Sequence, residues 1–244
     1  MVNGSPLEIK LLKCQIGVFT GEKTMLVQPL FQNRAEAGRV LAKRLRPRIK
    51  SNNVIVLALP RGGVPVGFEV AQALHAELDI FLVRKLGVPG HEDLAMGAVA
   101  SGGIRVLNHG LIAELGLSTA IIDAVTARER KEIERRERLY REGRPASSLL
   151  QRTVILVDDG LATGATMLAA VRAVRAQSPE RIIVAVPVAS SEACEDFKEH
   201  VDEVICGETP EPFYAVGAWY GDFSQTSDAE VQQLLERAAH EHVA

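Results

Sequence analysis

The stretch Val154-Ile-Leu-Val-Asp-Asp-Gly-Leu-Ala-Thr-Gly-Ala-Thr166 decides the fold class of this sequence. Its first part belongs to the apolar, β-branched run Thr153–Val157, which predicts a strand buried on both faces. Two carboxylates, Asp158 and Asp159, follow at the carboxyl end of that strand. The small-residue loop Gly160–Thr166 comes next and leads into a predicted helix.

Similar apolar runs lie on both sides of this stretch and are separated by segments with helical periodicity. The other predicted strands are Val54–Leu59, Leu78–Arg84, Ile182–Val188 and Glu203–Cys206. The predicted helices begin after an Asn33 cap and at about Pro65, Ser118, Thr166, Ser191 and Asp228. Strands that alternate with helices at this spacing indicate an α/β fold with a doubly wound, mainly parallel sheet and right-handed crossovers.

The composition is that of a soluble globular protein, with 47% hydrophobic residues, 24% charged residues and a formal net charge of -3. A net negative charge argues against a general nucleic-acid binder. No apolar run approaches the ~20 residues of a membrane span. Lys10 and Lys13 also interrupt the apolar stretch near the N-terminus. We therefore expect a cytoplasmic protein without a membrane partner.

We expect one domain preceded by a short extension. Residues 1–28 have no clear period and predict a weakly ordered extension. Residues 29–244 predict a single domain whose last part, 208–244, forms a hood or tail. The three cysteines show no metal-ligand spacing, so we expect reduced thiols at Cys14, Cys194 and Cys206.

The residue types after the strand Thr153–Val157 suit a phosphorylated sugar. Successive amides of the loop can point at one anion, and the helix N-terminus adds its dipole. Thr163 and Thr166 add hydroxyl donors, whereas Asp158 and Asp159 are acceptors suited to vicinal hydroxyls or a hard cation. A phosphate beside two hydroxyls describes a ribose 5-phosphate.

Other interpretations of this stretch fit less well. A Walker loop requires a lysine after its last glycine, and none follows Gly164. A dinucleotide fingerprint requires G-x-G-x-x-G, which Gly160 and Gly164 do not supply. A receiver-like phosphoacceptor site does not need the segment Thr163–Thr166. A plain strand–turn–helix would not place two carboxylates side by side, because their repulsion is costly unless a cation or ligand offsets it.

The stretch 154–166 resembles the phosphoribosyl-pyrophosphate (PRPP) motif of type I phosphoribosyltransferases, which has four apolar residues, two acidic residues and a loop ending in Thr-Gly-x-Thr. Over residues 31–235 the chain is also similar to bacterial phosphoribosyltransferase-domain proteins of unassigned acceptor. The other segments that carry this resemblance are Phe31-x-x-Arg34-x-x-Ala37-Gly38, Pro60–Gly67, Arg84–Gly87 and Gly217-x-Trp219-Tyr220-x-x-Phe223.

The resemblance implies a role for each strand end. The 5-phosphate would bind Gly160, Leu161, Ala162, Thr163, Gly164, Ala165 and Thr166. Asp158 and Asp159 would hold the ribose hydroxyls, directly or through Mg²⁺. The pyrophosphate would bind the loop Arg61-Gly62-Gly63, with a cis peptide bond expected between Arg61 and Gly62, and Lys85 at the end of the second strand would also reach it.

Two further segments would complete the site. Met96–Ala100 and Ile104–Leu107 predict a hairpin arm, and the resemblance implies that this arm closes over PRPP. His91-Glu92-Asp93 is interpreted as a polar loop. The hood would come from the N-terminal extension and the tail Pro210–Phe223. The aromatic residues of that tail include Trp219 and Tyr220, which could stack on a planar nucleobase, form a satellite core or make a dimer contact.

The resemblance therefore predicts an enzyme of nucleotide metabolism that transfers 5-phosphoribosyl from PRPP to a nitrogen acceptor such as a nucleobase and releases pyrophosphate. Its cofactor would be Mg²⁺, and its partners PRPP and the small-molecule acceptor. A homodimer is implied by the family alone. The alternative is a regulatory or interaction protein that binds PRPP without transferase activity, because the fold does not separate the two.

Overall fold

The computed structural model describes residues 28–243 and contains a parallel sheet and a smaller antiparallel one. The strands are β1 (Val54–Ala58), β2 (Glu77–Ile80), β3 (Val83–Val88), β4 (His91–Ala100), β5 (Arg105–Leu107), β6 (Thr153–Val157), β7 (Arg181–Val188) and β8 (Glu203–Glu208). The α-helices are α1 (Arg34–Leu45), α2 (Gly63–Leu74), α3 (His109–Glu114), α4 (Thr119–Arg141), α5 (Ala165–Arg175), α6 (Ser191–Asp196) and α7 (Asp228–Val243). The segment predicted as a weakly ordered extension, residues 1–28, lies outside the described residues except for its last one.

The predicted doubly wound, mainly parallel sheet is confirmed. Five strands pair in parallel in the order β2-β1-β6-β7-β8. Every residue of β1 and β6 is buried, because α5 and α6 cover one face of the sheet and α1 and α2 cover the other. No helix among residues 28–243 is both long and apolar enough to span a membrane.

The register of the central strands positions the loops that follow them. Ala58 at the end of β1 pairs with Val157 at the end of β6, and Val157 in turn pairs with Ala185 of β7. The chain segments that follow β1 and β6 therefore leave the sheet at the same level and on adjacent strands. Ligands of open α/β sheets bind at this edge.

The prediction of one strand over Leu78–Arg84 is wrong, because the chain changes sheets in the middle of that run. The amide of Phe81 still donates to Ala58 O at 3.0 Å, but β3 then pairs with β4 in a separate three-stranded antiparallel sheet. Ile80, Phe81 and Leu82 are all buried across the junction. The unbroken apolar run Ile80–Val83 therefore did not reveal the break between two strands.

The predicted hairpin arm is confirmed and is longer than expected. Ala98 pairs with Val106 in the antiparallel pair of β4 and β5, and β3 extends the arm on the other side. The prediction of a polar loop at His91-Glu92-Asp93 is wrong, because these residues begin β4. They are exposed, so no apolar alternation marked them as strand.

The expectation of reduced thiols is wrong for two of the three cysteines. Cys194 of α6 and Cys206 of β8 form a disulfide across 12 residues of sequence. α6 packs against β8, which brings the two sulfurs together in the fold. Cys14 lies outside the described residues.

Candidate functional site

Two glycines allow the loop after β1 to touch the acidic pair after β6. A Cβ atom on Gly62 would lie 2.0 Å from Asp159 Oδ2, and one on Gly63 would lie 2.8 Å from Val157 O. Both distances are too short for any residue with a side chain unless the neighbours move. The structure thus brings Gly62, Gly63, Asp158 and Asp159 into one place, at the carboxyl ends of β1 and β6.

The loop Gly160–Thr166 is anchored at its buried residue and open at its tip. The amide of Leu161 donates to Val188 O at 2.9 Å, and Leu161 O accepts from the amide of Ser190 at 3.0 Å. Gly164 has a left-handed φ of 70°, and α5 begins directly after it. Ala162, Thr163, Ala165 and Thr166 are exposed or partly exposed.

The amides of this loop are available to an anion. Within residues 28–243, the backbone N–H groups of residues 162–166 donate to no protein acceptor. Unpaired amides at the start of a helix carry the positive end of its dipole and bind phosphate groups readily. The hydroxyls of Thr163 and Thr166 lie in the same open segment and add donors.

The acidic pair has a third partner, Arg34, to which the sequence assigned no role. Asp158 Oδ1 accepts from the amide of Asp159 at 2.8 Å, and Asp159 Oδ2 accepts from Arg34 Nε at 2.8 Å. The side chains of Arg34 and Asp159 are only 12% and 16% exposed. Arg34 is part of the segment Phe31-x-x-Arg34 that carries the family resemblance, but nothing in that segment indicates a partner 125 residues away.

Burial and mutual repulsion determine the protonation of the pair. Burial raises the pKa of Asp158 well above its ordinary value, and the neighbouring charge of Asp159 raises it further. Burial also raises the pKa of Asp159, although the hydrogen bond from Arg34 opposes this shift. The Asp158 carboxylate therefore favours a ligand that supplies a proton, a hydroxyl or a cation.

Residues 220–224, in the C-terminal segment 208–244, contact the acidic pair in two ways. Tyr220 contacts Asp159 directly, and Phe223 and Ser224 contact Arg34, the partner of Asp159. Arg34 Nη1 donates to Ser224 O at 2.7 Å, and its guanidinium stacks on the ring of Phe223 at 3.9 Å. The hydroxyl of Tyr220 donates to the backbone carbonyl of Asp159 at 2.5 Å. The C-terminal segment is thereby attached to the end of β6, which carries the two carboxylates.

Trp219 and Tyr220 lie in a satellite core, one of the three environments considered for them. They are 8% and 6% exposed and pack with Phe31 and Val188. Tyr220 stacks obliquely on Phe31 with ring centroids 5.6 Å apart. Their role in an acceptor pocket stays a prediction.

The loop after β1 contains the expected cis peptide bond, but one residue earlier than predicted. The cis bond joins Pro60 to Arg61, so the prediction of a cis bond between Arg61 and Gly62 is wrong. Gly62 already has helical backbone angles and is the N-cap of α2, so the change of direction is complete before it. Arg61 Nη1 lies 3.6 Å from Asp228 Oδ1 at the start of α7.

Lys85 lies within β3, not at the end of a strand in the parallel sheet. Its Nζ is 3.5 Å from Asp93 O on the neighbouring strand. It lines a cavity of about 230 Å³ between the three-stranded sheet and the first turns of α5, together with Thr166 and Arg172. Its side chain is therefore on the same side as the end of the loop Gly160–Thr166.

A divalent cation fits this site only if the substrate supplies ligands. The described residues contain no group of three or more histidine, cysteine, aspartate or glutamate side chains that could hold a metal. Asp158 and Asp159 are two oxygen donors, and Arg34 occupies one oxygen of Asp159. Mg²⁺ is commonly bound by one or two carboxylates plus the phosphates of a substrate, which agrees with this donor set.

Comparisons with known proteins agree with this geometry. The family model "Phosphoribosyl transferase domain" matches residues 89–217. Two curated proteins from strains of Mycobacterium tuberculosis, one named "Putative phosphoribosyl transferase Rv0571c", are each 46% identical over 209 residues, which cover 86% of this chain. The match covers 47% of each of them, so this chain spans about half the length of these relatives.

A solved structure, that of the protein TT1426 from Thermus thermophilus, is similar along most of the chain. It has a TM-score of 0.77 and 43% sequence identity, and the match covers 85% of this chain and 98% of that one. The family model covers residues 89–217, and both the curated relatives and this solved structure match more than four fifths of the chain. The chain belongs to the phosphoribosyl transferase domain family.

Proposed function

We propose that the protein transfers the 5-phosphoribosyl group of PRPP to a nitrogen acceptor and releases pyrophosphate. The acceptor we propose is a nucleobase. The observation that carries this proposal is the loop Gly160–Thr166. Its unpaired amides lie next to the partly buried pair Asp158 and Asp159, and Gly62 approaches Asp159 at the adjacent strand end. One edge of the sheet therefore has unpaired amides for an anion and aspartate oxygens that can accept hydrogen bonds from hydroxyl groups. At the same edge, the backbone of the loop after β1 lies close to the two aspartates.

Each part of this edge would have one task in the reaction. The amides of residues 162–166 and the hydroxyls of Thr163 and Thr166 would bind the 5-phosphate. Asp158 would accept the ribose hydroxyls, because Asp159 is already paired with Arg34. Arg61, Lys85 and the amides of Gly62 and Gly63 would bind the pyrophosphate.

The bond changes occur at C1 of the ribose. The lone pair of the acceptor nitrogen forms the new C1–N bond, and pyrophosphate leaves with the electron pair of the C1–O bond. The N–H proton of the acceptor passes to solvent water. Positive charge develops on the ribose ring as the C1–O bond breaks, and the carboxylates of Asp158 and Asp159 would stabilise it. The covered hood side would exclude water that competes with the acceptor.

Mg²⁺ would be held by Asp158 together with oxygens of PRPP. When bound, it would neutralise charge on the leaving pyrophosphate. We also propose a cytoplasmic location, because PRPP is a highly charged metabolite. The proposed nucleobase acceptor assigns the reaction to nucleotide metabolism. A homodimer remains a proposal from the family.

One observation favours a second candidate, a PRPP-binding regulatory protein. Trp219 and Tyr220 are buried in the satellite core, so they offer no open ring face to a nucleobase. A protein that binds PRPP alone would not need such a face.

Incubation of the 244-residue chain with PRPP, Mg²⁺ and a panel of nucleobases, with pyrophosphate measured, tests the proposal. Release that depends on one acceptor is the expected result. PRPP binding without turnover on any acceptor would support the regulatory candidate instead. The variant Asp158→Asn with Asp159→Asn should lose PRPP binding, whereas the control Asp196→Asn, an exposed residue of α6, should keep it.

A further inference from the structure

Arg61, the cation proposed to bind pyrophosphate, has a carboxylate neighbour in the protein itself. Its Nη1 lies 3.6 Å from Asp228 Oδ1. The side chain of Arg61 is 32% exposed and that of Asp228 is 45% exposed, so both are partly open to solvent. An anion that approaches Arg61 therefore meets Asp228 as well.

A buried hydroxyl holds Asp228 from the other side. Tyr140 Oη donates to Asp228 Oδ1 at 2.6 Å, and Tyr140 is 1% exposed within α4. Burial and the contact with Asp228 raise the pKa of Tyr140 to about 12, so the hydroxyl keeps its proton at neutral pH. The same carboxylate oxygen thus accepts from Tyr140 and faces Arg61.

Asp228 is not needed to cap the helix that it begins. Ser227 caps α7, because its Oγ accepts from the amide of Glu230 at 3.1 Å and its carbonyl accepts from the amide of Val231 at 3.1 Å. Val231 and Leu235 bury the inner face of the helix. The position of Asp228 is therefore fixed by its neighbours, and the helix cap does not need its carboxylate, which contacts Tyr140 and Arg61 instead.

We propose that Asp228 is a positioning residue that competes with pyrophosphate for Arg61 and so limits how tightly the pyrophosphate group is retained. This inference rests on the proposed function. Pyrophosphate must displace the Asp228 carboxylate to gain the full charge of Arg61, which weakens its binding and speeds its release. The Tyr140 hydroxyl opposes this competition, because its hydrogen bond draws negative charge of Asp228 away from Arg61.

The two residues should act with opposite signs on the same measured quantity. The dissociation constant of pyrophosphate, measured by calorimetry with Mg²⁺ and the full chain, should fall about two- to fivefold in Asp228→Asn, the range that one partly exposed ion pair supplies. It should rise in Tyr140→Phe, because Asp228 then faces Arg61 alone. Glu230→Gln is the matched control: it removes one negative charge from the same exposed helical turn, and the dissociation constant should not change.

Kinetics supply a second readout. In Asp228→Asn the KM for PRPP should fall while kcat falls or stays constant, because tighter binding of pyrophosphate slows its release. Asp228→Glu keeps the charge and should restore the wild-type inhibition by pyrophosphate.

Each outcome has one meaning. Unchanged or weaker pyrophosphate binding in Asp228→Asn, with wild-type binding intact, overturns the competition. Equal weakening in Asp228→Asn and Tyr140→Phe with lowered melting temperatures assigns both residues a purely structural role and also overturns it. If the wild-type chain binds neither PRPP nor pyrophosphate, the proposed function itself fails and the inference fails with it.

Discussion

Removal of the Arg34 guanidinium is the sharpest test of the acidic pair, because it changes one partner of a nearly buried ion pair. Arg34→Met keeps most of the side-chain stem but leaves Asp159 beside Asp158 with no neutralising cation. Arg34 Nε is 2.8 Å from Asp159 Oδ2, and the two side chains are 12% and 16% exposed. Loss of one partner of a buried pair costs about 3–5 kcal/mol.

Some solvent reaches this pair, so we expect a loss of about 2–4 kcal/mol in the free energy of unfolding. The matched control is Arg39→Met on the same helix. Arg39 pairs with Glu69 at 3.1 Å, but its side chain is 55% exposed. An exposed pair of this kind contributes at most about 1 kcal/mol. Urea unfolding of both variants and the wild type provides the comparison.

The pH dependence of this loss follows from the raised pKa values. A carboxyl group whose pKa is higher in the folded than in the unfolded protein favours folding at low pH, and that contribution is lost as the pH rises through its folded pKa. Without Arg34 the pKa of Asp159 rises further. The difference between wild type and Arg34→Met in the free energy of unfolding should therefore be larger at neutral pH than at acidic pH, because it grows as the pH rises through the raised pKa values. A loss that is equal at both pH values, or no larger than that of Arg39→Met, would refute this account.

The remaining predictions concern the loops. Gly62→Ala should abolish PRPP binding measured by calorimetry, since its Cβ would lie 2.0 Å from Asp159 Oδ2 and the acidic pair must move. The affinity for Mg²⁺ with PRPP should increase with pH through the raised pKa of Asp158, because the metal competes with a proton, and Asp158→Asn should remove this slope in the same titration. Thr163→Val should weaken PRPP binding by about 1–3 kcal/mol, the scale of a hydrogen bond to a charged group, with an unchanged melting temperature.

The local pattern predicted the parallel sheet and the glycine-containing turn Gly160–Thr166 into a helix, because both depend on short segments. The buried run Thr153–Val157 and the glycines of the loop carry their own structural signal, since a strand covered on both faces and a turn with positive φ each restrict the residue types. The pairing of β4 with β5 was also predicted, because it too depends on two short neighbouring runs of sequence. These features needed no knowledge of distant residues.

Features that depend on long-range packing were not predicted. The run Leu78–Arg84 is largely apolar because both sheets bury its middle, so the change of sheet left no mark in the sequence. The disulfide of Cys194 and Cys206 requires α6 to fold back on β8. The ion pair of Arg34 and Asp159 joins residues 125 apart, and only the tertiary structure shows it.

Arg34 and Arg61 are both paired with carboxylates near the site. The two arginines differ in how easily they can exchange these partners. Arg34 and Asp159 are 12% and 16% exposed, and Arg34 is also fixed by Ser224 and Phe223. Arg61 and Asp228 are 32% and 45% exposed and lie 3.6 Å apart. Breaking the first pair leaves a buried charge, which is costly, whereas water and ions can replace the second at little cost. Arg34 is therefore expected to stay in place through a catalytic cycle and to fix the acidic pair, and Arg61 is expected to change partners each time pyrophosphate binds and leaves.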